Sequence, residues 1–214
     1  MNEKLLYAED FQDSRAQGWN EIDLKMPGWN MAPSADEAGN VILSAQYSDM
    51  LGDQGMNSRL GDMEFDNAVW RVQFLISKPF ATQENWFSFN WRNALKPFDL
   101  NGQEIFDSRY QLPIGTNFFA FRRLQQPVTN IGIGQVGGPK PGEWHLVEIS
   151  TFQNVTEVWL DGKRLMAYED PQPLPPGTMG LEFRLKGSDT IVYFDNISVC
   201  ELSTPFASIV PATP

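Results

Sequence analysis

Residues 85–92, Asn-Trp-Phe-Ser-Phe-Asn-Trp-Arg, alternate strictly with a period of two. In an extended chain Phe87, Phe89 and Trp91 fall on one face, and Trp86, Ser88, Asn90 and Arg92 on the other. The first set is core chemistry. The second combines an indole, an amide and a guanidinium, which suits a sugar. Aromatic rings stack on the apolar faces of pyranoses, while amide and guanidinium groups bond hydroxyls. Tyr110 and Arg122 extend this surface if their strands neighbour it. The plainer alternative is an ordinary half-polar sheet face.

A second feature is Asp195, set in the apolar run "TIVYFDNISVCEL". Counting by two, it shares a phase with Ile191, Tyr193, Ile197 and Val199, and that phase is expected to face inward. A buried carboxylate is costly unless it is hydrogen-bonded, paired or bound to a metal. The alternatives at this point are a metal ligand, or a side chain that caps a bulge and accepts bonds from Asn196 or neighbouring amides.

Other chemistries find no support. A glycosidase needs two carboxyl groups about 5–10 Å apart, and no pair among the 27 acidic residues stands out by spacing. Gly-x-Ser-x-Gly, Ser-His-Asp and His-Glu-x-x-His patterns are absent. The single histidine, His145, follows Trp144 at a predicted strand start and reads as structural. "GIGQVGG" at 132–138 formally matches a dinucleotide loop, but "PKPGEW" follows where that motif requires a helix; it reads as a loop. Cys200 is the only cysteine, so no intramolecular disulfide is possible.

The elements that would position these groups are strands. Ten runs alternate or carry β-branched and aromatic residues: 4–11, 39–46, 67–77, 85–92, 108–114, 117–124, 144–151, 156–162, 177–185 and 190–202. Gly, Pro, Asp and Asn punctuate the gaps, and residues 47–62 read as one long polar loop. Trp29 and Tyr47 flank the long loops, as rim of a cleft or plug of the sandwich edge. The expectation is an all-β chain, a two-sheet antiparallel sandwich over 1–202, with a Ser/Thr/Pro-containing tail or linker over 203–214.

The net charge of −11 opposes a phosphate backbone or an anionic membrane, so no nucleic-acid partner is expected. No apolar run approaches transmembrane length, so no membrane insertion is expected either. Residues 1–11 hold no apolar core of signal-peptide length, so the leader of a secreted protein is expected to be missing from this chain.

Residues 142–200, with Trp144 before a strand, the hairpin "VWLDGKR", "EDPQPLPPG", "MGLEF" and the closing "FDNISV", resemble the second half of concanavalin A-like lectin/glucanase jelly rolls. The likeness is to the branch of 3-keto-disaccharide hydrolase-like and laminin-G-like carbohydrate-binding domains, and "YAEDFQD…GWN" is similar to their first strand. The resemblance implies a concanavalin A-like jelly roll whose concave sheet bears the ligand. The Glu-x-Asp-x-x-Glu strand of the family-16 glucanases is missing.

The resemblance also places the first and last strands side by side. Glu9, Asp10 and Asp13 would then approach Asp195, an oxygen set suited to a structural Ca²⁺. The expected function is non-catalytic recognition of a glycan or polysaccharide through Trp86, Asn90, Arg92, Tyr110 and Arg122. It is expected outside the cytoplasm, in a module of a larger multidomain protein. A glycoside hydrolase, or a structural or adhesive module, are the alternatives.

Overall fold

The computed structural model describes residues 3–19, 22, 25–34, 38–51, 56–61, 63–93, 108–115, 118–125, 127–134 and 138–208. Among them the strands, in chain order, are β1 Glu3–Glu9, β2 Trp29–Pro33, β3 Val41–Ala45, β4 Met56–Arg59, β5 Ala68–Ile76, β6 Trp86–Asn93 and β7 Arg109–Ile114. They continue with β8 Phe119–Leu124, β9 Thr129–Gly134, β10 Trp144–Phe152, β11 Val155–Leu160, β12 Lys163–Glu169, β13 Thr178–Arg184 and β14 Val192–Leu202.

They build two antiparallel sheets. The eight-stranded sheet runs β12-β11-β10-β5-β14-β3-β2, with β1 added to β14; the six-stranded sheet runs β4-β13-β6-β7-β8-β9. The expected all-β sandwich is therefore the observed one.

Alternation decides which side chains meet between the sheets. Along β5, Ala68, Trp70, Val72, Phe74 and Ile76 enter the core, and along β6 Phe87, Phe89 and Trp91 do the same from the opposite sheet. Phe74 lies 5.1 Å from Phe87 and 5.8 Å from Phe89, centroid to centroid. Phe194 closes the cluster edge-on, 5.8 Å from Phe87 and 6.2 Å from Phe89. Such tilted and edge-on pairs add to the burial of large apolar area.

Four strands escape the periodicity reading: β2, β4, β9 and β12. β4 lies inside the segment read as the long loop 47–62, and β9 takes in Gly132–Gly134 of the glycine-rich "loop". All four are edge strands of their sheets or pair at an edge, where one side of the backbone and much of the side-chain surface meet solvent. Edge strands therefore need no apolar alternation.

Asp195 does not face the core. A β-bulge lies between Asp195 and Ser198 in the pairing of β14 with β5, and Asn196 holds it with a φ of 49°. The extra residue reverses the phase. Val192 and Phe194 point inward before the bulge, and Ile197 and Val199 after it. Asp195 is paired with Gln73 on the outer face.

The tail, too, departs from expectation. Phe206 is buried against Val69 and Leu202 on the outer face of the eight-stranded sheet, with Trp159 beside it. Beneath this cover Arg71 holds Glu3 with both terminal nitrogens, at 2.8 and 2.9 Å, and Glu148 through Nε at 2.9 Å. Ser208 Oγ reaches the other oxygen of Glu148. Residues 203–208 thus belong to the domain; residues 209–214 lie outside the described residues.

β1 pairs with β14 over Glu3–Glu9, as expected. Leu5 and Leu6 nevertheless remain exposed; Phe11, wholly buried, is the apolar anchor of this segment. Removal of residues 1–12 strips the ladder of β14, leaves Arg71 and Glu148 without Glu3, and empties the Phe11 site. Each of the last two losses costs about 3–5 kcal/mol, against a total stability of about 5–15 kcal/mol. The truncated chain is expected to lose its cooperative thermal transition, read by circular dichroism.

Candidate functional site

The face of the six-stranded sheet turned away from the core carries a polar floor. β6 contributes Trp86, Ser88 and Asn90, the residues between its core aromatics. β13 contributes Gly180, Glu182 and Arg184, between Leu181 and Phe183 of the core. β7 adds Arg109 and Gln111, β8 adds Arg122, and β4 adds Arg59. Register aligns them: Arg59, Gly180, Asn90, Gln111 and Arg122 form one row across five strands. Arg184 and Trp86 form a directly opposed pair at its side.

Glu182 is the hub of this floor. Its Oε2 accepts from Gln111 Nε2 at 2.9 Å, Asn90 Nδ2 at 3.2 Å and Arg109 at 3.3 Å. Gln111 also approaches Ser88 Oγ at 3.4 Å. Among the strand residues of this sheet Glu182 is the only carboxylate. Asn90 is 1% exposed, yet its Oδ1 has no hydrogen-bond partner among the described residues, and neither has Nε of Arg184. The amides are thus fixed in orientation by the carboxylate, and one buried acceptor and one buried guanidinium nitrogen stay without a partner among the described residues.

Trp86, Asn90 and Arg122 stand on this face as expected. Arg92 and Tyr110 do not. Arg92 adopts a φ of 46°, which swings its side chain out of the alternation of β6. Its guanidinium bonds Leu174 O, Asp66 Oδ1 at 2.7 Å and Gln153 O at 3.4 Å, so it ties β6 to loops at the rim of the sandwich.

Tyr110 occupies a core position on β7, ring to ring with Trp91 at 5.7 Å and Phe121 at 5.7 Å. Its hydroxyl donates to Asp170 Oδ2 at 2.5 Å and accepts from Leu174 N at 3.2 Å. Burial, then the bond to Asp170, pushes this phenol up from 10.0 to about 12. Trp29 is likewise a core residue, edge-on to Phe183 at 4.8 Å, and Tyr47 packs half-buried against the core.

Gln111, Glu182, Arg184 and Arg109 were not among the expected site residues. The signal was present: "MGLEFR" and "RYQLPI" alternate as clearly as "NWFSFNWR", and their polar phases name these residues.

The acidic segment is built differently. Glu9 is buried at the end of β1, with Oε1 accepting from Phe11 N and Oε2 from Gln17 N, each at 2.8 Å. Burial pushes its carboxyl up, against the lowering effect of those two amides. Asp10 and Asp13 accept from Gln12 N and Arg15 N, closing turns. Asp195 caps its own bulge through Asn196 N at 2.7 Å and accepts from Asn40 Nδ2 at 3.0 Å. Among the described residues no three His, Cys, Asp or Glu side chains are grouped to hold a metal ion.

What gathers here is instead an amide: Gln12 Nε2 donates to Asp10 O at 2.9 Å and faces Val41 O at 3.3 Å and Asn40 Oδ1. His145 is held by Asp161 at Nδ1, 2.7 Å, and by Lys140 O at Nε2, 3.0 Å.

No protein-family model matches the chain, and comparison with curated proteins finds no match. Solved structures do match. A Bacillus subtilis protein described as of unknown function with a galectin-like fold gives a TM-score of 0.62 at 13% identity, covering 93% of this chain and 96% of that one. The catalytic domain of an endo-1,3-β-glucanase (laminarinase) from Thermotoga petrophila gives 0.60 at 10% identity, over 94% and 99%. The carbohydrate-binding module CBM66 from Bacillus subtilis gives 0.53 at 10% identity, over 80% and 94%. The fold is the concanavalin A-like jelly roll.

Two outcomes test the reassigned residues. Arg92→Ala is expected to destabilise the domain by about 3 kcal/mol, because the buried Leu174 carbonyl loses its donor and the side chain its packing. Arg122→Ala is expected to change stability by less than about 0.5 kcal/mol; urea unfolding separates the two. Tyr110 is neutral in the fold well above its ordinary range. Its contribution is therefore complete below pH 10 and lost as pH rises toward about 12. Tyr110→Phe is expected to remove that part of the alkaline stability slope, and phenolate absorbance should show the wild-type tyrosine ionising last.

Proposed function

We propose that the outer face of the six-stranded sheet binds a carbohydrate and does not cleave it. The observation that carries this reading is the polar floor itself: Glu182 orients Asn90, Gln111 and Arg109 through a single oxygen, beside the indole of Trp86. Fixed amides reading hydroxyls next to a stacking ring are the chemistry of a sugar site. A glycosidase needs a second carboxyl group across the cleft, and the strand residues of this face offer one carboxylate, already occupied as an acceptor. Matching structures include both a carbohydrate-binding module and glucanases, so both classes belong in the test. Placement at the cell surface or outside the cell, within a multidomain protein, goes with this reading.

The segment around Gln12 supports a second, structural proposal. An amide nitrogen has two hydrogens to donate, yet Gln12 Nε2 sits among three oxygens, from Asp10, Asn40 and Val41, with Asp195 one contact further. These three carbonyl oxygens, with the Asp195 carboxylate and water to complete the shell, are the ligand type Ca²⁺ takes. The proposed ion takes the place of the amide nitrogen and binds these oxygens. Glu9 and Asp13, committed to backbone amides, support the loop instead.

Calorimetry against a polysaccharide panel is expected to give at least one ligand, with reducing-sugar release at the level of the blank. Trp86→Ala should weaken binding by about tenfold or more, which corresponds to about 1.4 kcal/mol, with an unchanged melting curve. Sugar release above the blank would reject the non-catalytic reading, and silence across the panel would favour a structural or adhesive module. For the cation, excess Ca²⁺ should raise the melting midpoint relative to EDTA in wild type and not in Asp195→Asn. Equal midpoints in wild type reject it.

A further inference from the structure

We infer that the ligand of this face is an acidic glycan, whose carboxylate or sulfate groups are held by Arg184 and Arg122. The inference rests on the carbohydrate reading above and names the ligand class. The chain carries a net charge of −11, and a field of that sign repels anions. The outer face of the six-stranded sheet runs against it. Among the strand residues of this sheet, Arg59, Arg109, Arg122 and Arg184 share this face with one carboxylate, Glu182. Glu182 answers Arg109 at 3.3 Å. Arg122 and Arg184 are half-buried and make no ion pair among the described residues, and Nε of Arg184 is buried with no hydrogen-bond partner there.

A neutral sugar does not require these two cations. Its hydroxyls carry no charge, and it would leave a partly desolvated guanidinium uncompensated. A carboxylate or sulfate offers the planar or forked acceptor that a guanidinium binds through two parallel bonds.

Position agrees with chemistry. Arg184 is directly opposed to Trp86 across the β13–β6 pair, so their side chains are neighbours on one face. A sugar stacked on the indole presents its substituents to Arg184. Arg122 stands three strands from β13, opposite Gln111. At about 4.8 Å per strand and 3.3 Å per residue, its Cα lies about 20 Å from that of Arg184 across the floor. A ligand that reaches both is an oligosaccharide with repeated anionic groups.

The test uses the full chain in calorimetry at low and high salt. The acidic probes are oligogalacturonate, oligomannuronate, hyaluronan oligosaccharides and heparin. The neutral probes are methyl-esterified oligogalacturonate, laminarin and levan. The expected result is an acidic probe bound at least tenfold tighter than every neutral one. That binding should weaken as salt rises, fall tenfold or more in the Arg122→Gln/Arg184→Gln double variant, and be lost in Trp86→Ala, with melting unchanged in both.

Neutral probes bound as tightly as acidic ones, with loss in Trp86→Ala and none in the arginine variant, would overturn the inference and leave the carbohydrate reading in place. Acidic binding indifferent to the arginine variant would overturn it as well. No binding by any probe would overturn both.

Discussion

Phe87, Phe89 and Trp91 must be buried, and the rest of the molecule follows from that constraint. Three aromatic side chains on one phase of one strand can leave water only between two sheets. Phe74 and Phe194 of the facing sheet meet the two phenylalanines there, while Trp91 stacks on Phe121 at 5.3 Å. Because the pleat has a period of two, the same burial forces Trp86, Ser88 and Asn90 to the other face. Neighbouring strands are bound to this phase by register. Leu181 and Phe183 on β13, and Leu112 on β7, enter the core beside it, and Glu182 and Gln111 come out beside Asn90.

The polar floor is held by one acceptor. Three donors converge on a single oxygen of Glu182, so the directions of Asn90 and Gln111 are set within the fold. A buried polar network of this kind has value only when its members are satisfied. Here the satisfaction is internal for the donors and incomplete for Asn90 Oδ1 and Arg184 Nε. The imbalance lies on this one face of the six-stranded sheet.

The opposite sheet is devoted to closing the fold. β14 lies between β5 and β3, with β1 added, so the first and last strands meet in this sheet. The buried Arg71 reads both ends: Glu3 from the first strand, and, through Glu148, Ser208 from the tail. Phe206 covers the guanidinium, with its ring centroid 5.5 Å away. A guanidinium this far from water tolerates neither end being absent.

The sequence by itself determined the fold class, ten of the strands, the core aromatics and the outward placing of Trp86 and Asn90, since these depend only on a two-residue period and on turn chemistry. Pairing of β1 with β14 was legible through family resemblance rather than through the residues. Edge strands were not legible, because a strand with one bare side needs no apolar pattern. Tertiary structure alone decided the fate of Arg92, Tyr110 and Asp195. For Arg92 and Asp195 a single residue at positive φ, Arg92 itself and Asn196, redirects a side chain that simple alternation would send elsewhere. For Tyr110 the choice of face belongs to the strand's partners, Trp91 and Phe121. The gathering of Asn90, Gln111, Arg109 and Glu182, separated by up to 92 residues in sequence, required the register of three strands, which no local pattern encodes.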